Sequence, residues 1–81
     1  MDRITVIVHD FDGKTRDIEA PLDISARELI RGLHSALNHT GPCPAALRCE
    51  NPVVFLTGDR LLSTYGLRNG SNLYFFGDET R

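Results

Sequence analysis

The sequence predicts an α+β domain in which one mixed sheet of four to five strands carries one main helix on one of its faces. Three observations point there. Apolar residues alternate with period two at the start of the chain, one capped segment has an apolar period near 3.6, and a short apolar run lies at residues 72–76. One helix with one apolar face needs one sheet to cover it. At 81 residues the chain has room for a single core, because a domain of this size buries only about 60% of the surface its unfolded chain exposes.

The elements follow in order. Ile4, Val6 and Val8 alternate with Thr5, Ile7 and His9, which reads as a β-branched strand. Asp10-Phe11-Asp12-Gly13 supplies turn chemistry, and 15–20 reads as a second strand. Its apolar content is thin, which suits an edge. The two form a hairpin over 3–20. Pro21 ends it, and Ser25-Ala26-Arg27-Glu28 has the spacing of a capping box, with Ile24 and Leu29 spaced as a hydrophobic staple. Ala26, Leu29, Ile30, Leu33, Ala36 and Leu37 fall within an arc of about 120°. Arg27, Arg31, His34 and Asn38 fall opposite, on the solvated side. The helix is expected over 26–38. Gly32 sits inside it at a cost of about 1 kcal/mol relative to Ala, which a close approach of neighbouring backbone would explain. Pro42 and Pro44 exclude a regular ladder across 41–44. Short strands are expected at 47–50 and 53–56, divided by Asn51-Pro52. An irregular stretch over 61–67 with one helical turn and a tight turn at Arg68-Asn69-Gly70-Ser71 lead to the final strand, 72–76. The first and last strands are the most apolar and are expected side by side, in parallel, at the centre of the sheet.

Composition narrows the function. Nine basic against 11 acidic residues leave a net charge of −2, so there is no basic footprint for nucleic acid and no polybasic membrane anchor. No apolar run approaches the roughly 20 residues a membrane helix needs. The first residues read as a strand rather than a signal peptide. Two cysteines, Cys43 and Cys49, are too few for a disulfide scaffold. A cytoplasmic protein is expected.

Leu62-Ser63-Thr64-Tyr65-Gly66-Leu67 followed by Arg68-Asn69-Gly70-Ser71-Asn72-Leu73 resembles the segment leading into the last strand of ubiquitin. The element order is likewise that of the ubiquitin-like, or β-grasp, fold. Within that superfamily the chain resembles the YukD/EsaB proteins, ubiquitin-like accessory components of bacterial type VII (WXG100) secretion systems. The resemblance rests on length, an immediate first strand, a hairpin turn ending in glycine, and the run from Leu62 through Gly70. It implies that Tyr65 is structural, its hydroxyl tied to nearby backbone. It also implies a protein partner, such as a cytosolic domain of a secretion-system membrane component. The competing class is a conjugated modifier or sulfur carrier. Those end in Gly-Gly, whereas this sequence reads Gly77-Asp78-Glu79-Thr80-Arg81, so conjugation through Arg81 is not expected. A ubiquitin-like domain excised from a larger protein is the third alternative.

No catalytic assignment follows from the residues. His34, His39, Cys43 and Cys49 are the one grouping with metal-ligand atoms, and their spacing lacks the C-x2-C knuckle of a structural zinc site. There is no phosphate-binding glycine loop and no nucleophile–base pattern. No cofactor, metal or enzymatic activity is expected. One surface does emerge. If Leu73 and Phe75 point toward the helix, Tyr74 and Phe76 point away from it, as does Ile7 on the first strand. Ile7, Tyr74 and Phe76, with His9 and Arg48 at the rim, are the candidate protein-binding residues. Ubiquitin-like folds commonly bind through this face, although these residues are not those of ubiquitin's own patch. The alternative is that the 57–67 loop or the tail covers them.

Overall fold

A computed structural model describes residues 3–10, 13–39 and 41–75. Strands β1 (Arg3–His9) and β2 (Thr15–Pro21) form the hairpin, helix α1 spans Ala26–Ala36, and β3 (Ala46–Glu50) and β4 (Val54–Thr57) form a second hairpin. A 3-10 turn at Leu62–Thr64 precedes β5 (Asn72–Tyr74). The sheet order is β2-β1-β5-β3-β4. β1 and β5 run parallel, with Val8 opposite Leu73, and the other neighbours are antiparallel. The two apolar strands thus occupy the centre, and the charged β2 is an edge.

The helix begins as its sequence dictates. The Glu28 amide donates to Ser25 Oγ at 3.1 Å and the Ser25 amide donates to Glu28 Oε1 at 2.8 Å, which satisfies two donors that an isolated helix start leaves open. It ends two residues earlier than the apolar period implies. Asn38 takes a left-handed φ of 57°, and the amides of Asn38 and His39 turn back to the carbonyls of Ser35 and His34. This is a Schellman stop with asparagine in the place that glycine usually fills. Ala26, Leu29, Ile30 and Leu33 are buried against Val6, Val8, Leu47, Leu56 and Leu73.

Other boundaries shift by one or two residues. β3 starts at Ala46 rather than 47, β4 runs 54–57 rather than 53–56 because the turn holds Val53, and β5 ends at Tyr74. Phe75 continues the line nonetheless: its amide donates to the His9 carbonyl at 3.1 Å. Phe76 and the tail from Gly77 lie outside the described residues. The Asn51–Pro52 peptide is cis.

Gly32 corrects its expectation. A Cβ built there meets nothing within 4 Å, so no backbone approach requires the glycine. Gly32→Ala is expected to stabilise the domain by about 1 kcal/mol, raising the melting temperature by about 4–8 °C for a domain of this size. A calorimetric scan showing no rise would place an unrecognised constraint on that helix face.

Candidate functional site

The sheet face away from α1 is organised by register. Thr15, His9, Tyr74, Arg48 and Phe55 stand opposite one another in succession, a row crossing all five strands. Leu73 and Phe75 are buried, so alternation sends Tyr74 outward. Its ring lies between two planar neighbours. The His9 ring stacks on it with centroids 4.2 Å apart and an angle of 18°, and the Arg48 guanidinium sits 4.5 Å from its centre. Glu50 ties the row together, accepting from the Tyr74 hydroxyl at 3.1 Å and from Arg48 at 2.9 Å. His9 Nε2 donates to Asn72 Oδ1 at 2.9 Å.

The structure therefore brings together Ile7, His9, Arg48 and Tyr74, while Phe76 lies outside the described residues. Tyr74 is not the open aromatic expected from alternation. It is half-buried within a stacked, hydrogen-bonded ladder. The open apolar surface is at the β4 side, where Phe55 is 59% and Val53 79% exposed. Sequence reading missed both. Residues 53–56 are all apolar and mark no face in the sequence; the inward packing of Val54 and Leu56 leaves Phe55 on the outer face. The 57–67 loop does not cover this face. The amides of Leu62 and Ser63 donate to the carbonyls of Ile24 and Leu22, just ahead of the helix, and Leu62 is fully buried in the core. The Tyr65 hydroxyl donates to the Thr57 carbonyl at 3.0 Å and accepts from the Thr57 amide at 3.3 Å, the structural tie implied for it.

Titration is shaped by the same neighbours. The Tyr74 hydroxyl is held above its ordinary range by loss of hydration, by its bond to Glu50 and by that carboxylate's charge, against the opposing pull of Arg48. The Cys49 thiol is pushed up to about 11 by burial and then by Glu50. Cys43 is exposed and both thiols are free. In the native protein a thiol reagent at pH 8 is expected to label Cys43 alone, with Cys49 reacting only on unfolding. Above pH 9 the unfolded chain loses the Cys49 proton before the folded one does, so stability should fall as pH rises toward 11. Rapid labelling of both thiols would contradict the burial of Cys49.

A second cluster lies where β1 meets the end of α1. His39 Nε2 donates to Asp10 Oδ1 at 2.6 Å, with both side chains 8% exposed, and Arg16 is 4.0 Å from the other Asp10 oxygen. His39 packs edge-on against His34 and Phe75. His34, expected on the solvated helix face, is instead half-buried, because His39 folds back over it after the Asn38 turn. Among the described residues no group of three or more His, Cys, Asp or Glu side chains is placed to hold a metal ion. No described helix is long and apolar enough to cross a membrane.

No protein-family model matches the chain, and no curated protein matches it. Solved structures do. A de novo design based on ubiquitin is 18% identical, with a TM-score of 0.70 over 98% of this chain and 93% of that one. The ubiquitin-like domain of an Arabidopsis thaliana protein is 23% identical, with a TM-score of 0.76 over 100% of this chain and 84% of that one. The ubiquitin-like domain of Plasmodium falciparum Dsk2 is 21% identical, with a TM-score of 0.62 over 90% and 97%. The fold is the ubiquitin-like β-grasp fold.

Proposed function

We propose that this domain is a non-enzymatic protein-interaction module that holds its partner on the outer face of the sheet, with Tyr74 and Phe55 as anchors and Ile7, His9 and Arg48 around them. The observation that carries this reading is the cross-strand row: a prearranged Tyr74 ladder beside an open Phe55. A solvated sheet face is ordinarily polar. Binding hot spots are enriched in aromatic and arginine side chains, and side chains already ordered lose little freedom on binding. Phe55→Ala together with Tyr74→Ala is expected to weaken partner binding more than tenfold, with the circular dichroism spectrum unchanged. Retention of every partner by a folded double variant would remove this face from consideration.

The finer reading is a cytoplasmic accessory component of a bacterial type VII secretion system, binding a cytosolic domain of one of its membrane components. It is supported by the sequence resemblance through Leu62–Gly70. Genes for WXG100 substrates and a membrane ATPase beside this one, and capture of that ATPase's cytosolic domain by the native chain but not the double variant, are the expected results. Partners unrelated to secretion would leave the interaction module and overturn its placement.

A further inference from the structure

We propose that a cleft on the opposite side of the molecule from the Tyr74 row is a second binding site, one that takes an acidic peptide with a single apolar side chain. The cleft lies between α1, the segment leading into β3 and the end of β4, with the buried Ile30 at its floor and Arg27 and Arg31 on the helix side. Cys43, Pro44 and Ala45 form one wall, and Thr57 and Gly58 form another. Its volume is about 250 Å³. Pockets for drug-sized ligands run from about 300 to 1,000 Å³, so this one has room for a single leucine-sized side chain rather than a small-molecule cofactor.

The cleft is prebuilt. The Thr57 hydroxyl, at the end of β4, donates to the Ala45 carbonyl at 2.9 Å and fixes the two walls to each other. The Arg27 amide donates to the Gly58 carbonyl, also at 2.9 Å, and fixes the loop to the helix. A partner meeting walls already held in place does not have to order them.

Charge selects the partner. Arg27 and Arg31 are one helical turn apart on the same face, a like-charge spacing that mildly destabilises a helix. Arg31 has no ion pair among the described residues, whereas Arg27 pairs with Asp59 at 3.3 Å. Both members of that pair are mostly exposed, and an ion pair of this kind contributes about 0–1 kcal/mol. It exchanges easily for an incoming carboxylate. Two guanidiniums with one weakly held counter-charge therefore form a local cationic rim on a chain whose net charge is −2, and guanidinium binds carboxylate in paired hydrogen bonds. Nucleic acid fits less well, because no aromatic side chain lines the cleft to stack a base. The occupant is an extended segment with carboxylates on either side of one leucine or similar residue. The leucine rests on Ile30 and a carboxylate reaches Arg31.

The test is a titration of the 15N-labelled protein with a synthetic pentapeptide of two acidic residues, leucine and two acidic residues, followed by amide chemical shifts. Saturable shifts are expected at Ile30, Arg31, Ala45 and Gly58, with His9 and Tyr74 unmoved. Arg31→Glu and Ala45→Glu each weaken binding more than tenfold. Both sites are exposed, so spectra elsewhere stay native and report folding. Glycine in place of the peptide's leucine also weakens binding, by severalfold. Absence of saturable shifts at millimolar peptide would overturn the proposal, as would equal binding of a lysine-flanked peptide. Identical shifts with inorganic phosphate alone would reduce the cleft to a simple anion site and overturn it equally. Shifts confined to His9 and Tyr74 would move the peptide to the outer face.

Discussion

Leu73→Ala is expected to lower stability by about 2–5 kcal/mol, the range for removing a buried leucine side chain without collapse of the space it leaves. Leu73 is fully buried at the middle of the central strand, with Val8 opposite on one side and Cys49 on the other. Both neighbours belong to strands locked by their own hairpin partners, so they have little freedom to close the gap. Urea unfolding followed by circular dichroism gives the answer, with a lower midpoint and an unchanged slope. Tyr74→Ala, one residue along and facing the other way, removes stacking and a hydrogen bond but opens no cavity in the core. Its effect should be clearly smaller. Equal loss from the two variants would mean that the outer ladder contributes as much to stability as the core, and would leave less room for a binding role.

The second large effect is expected from Ser71→Ala. Ser71 is a polar side chain with no exposure. Its hydroxyl donates to the Asn51 carbonyl at 2.6 Å and accepts from the Arg68 amide at 3.0 Å, joining the turn before β5 to the turn between β3 and β4. Alanine leaves both backbone groups without that partner. The cost of such a loss is about 1–3 kcal/mol. A shift in urea midpoint too small to resolve would show that water replaces the hydroxyl at both groups.

What could be read in the sequence was what is local. Ser25 and Glu28 make their reciprocal bonds across three residues, so their spacing alone announced them. The apolar first and last strands announced the centre of the sheet, where a strand has a neighbour on each edge and the helix over its inner face. What could not be read depends on register between distant strands. Nothing near Tyr74 in the chain indicates that Glu50 would hold its hydroxyl, or that His9 and Arg48 would close on its two faces. Phe55 was obscured for a related reason. A strand of four residues shows too few alternations to declare its faces, and its turn boundary was misplaced by one residue. His34 was misread because helical periodicity gives a direction around the axis but not what returns to cover it. The return of His39 depends on the left-handed turn at Asn38.

The strand order also bears on how the protein is made. β5, only three residues long, lies between β1 and β3, so it alone joins the two hairpins into one sheet. A ribosome synthesises β1 first and β5 last. While Tyr74 is still inside the exit tunnel, the nascent chain can form each hairpin and the helix, but no surface exists on which they close. Domains ordinarily fold as units during synthesis, and here the unit is incomplete until its last strand emerges. Until β5 emerges, Val6, Val8, Ile30 and Leu33 lack the strand that completes their cover, and in that interval chaperones can bind them.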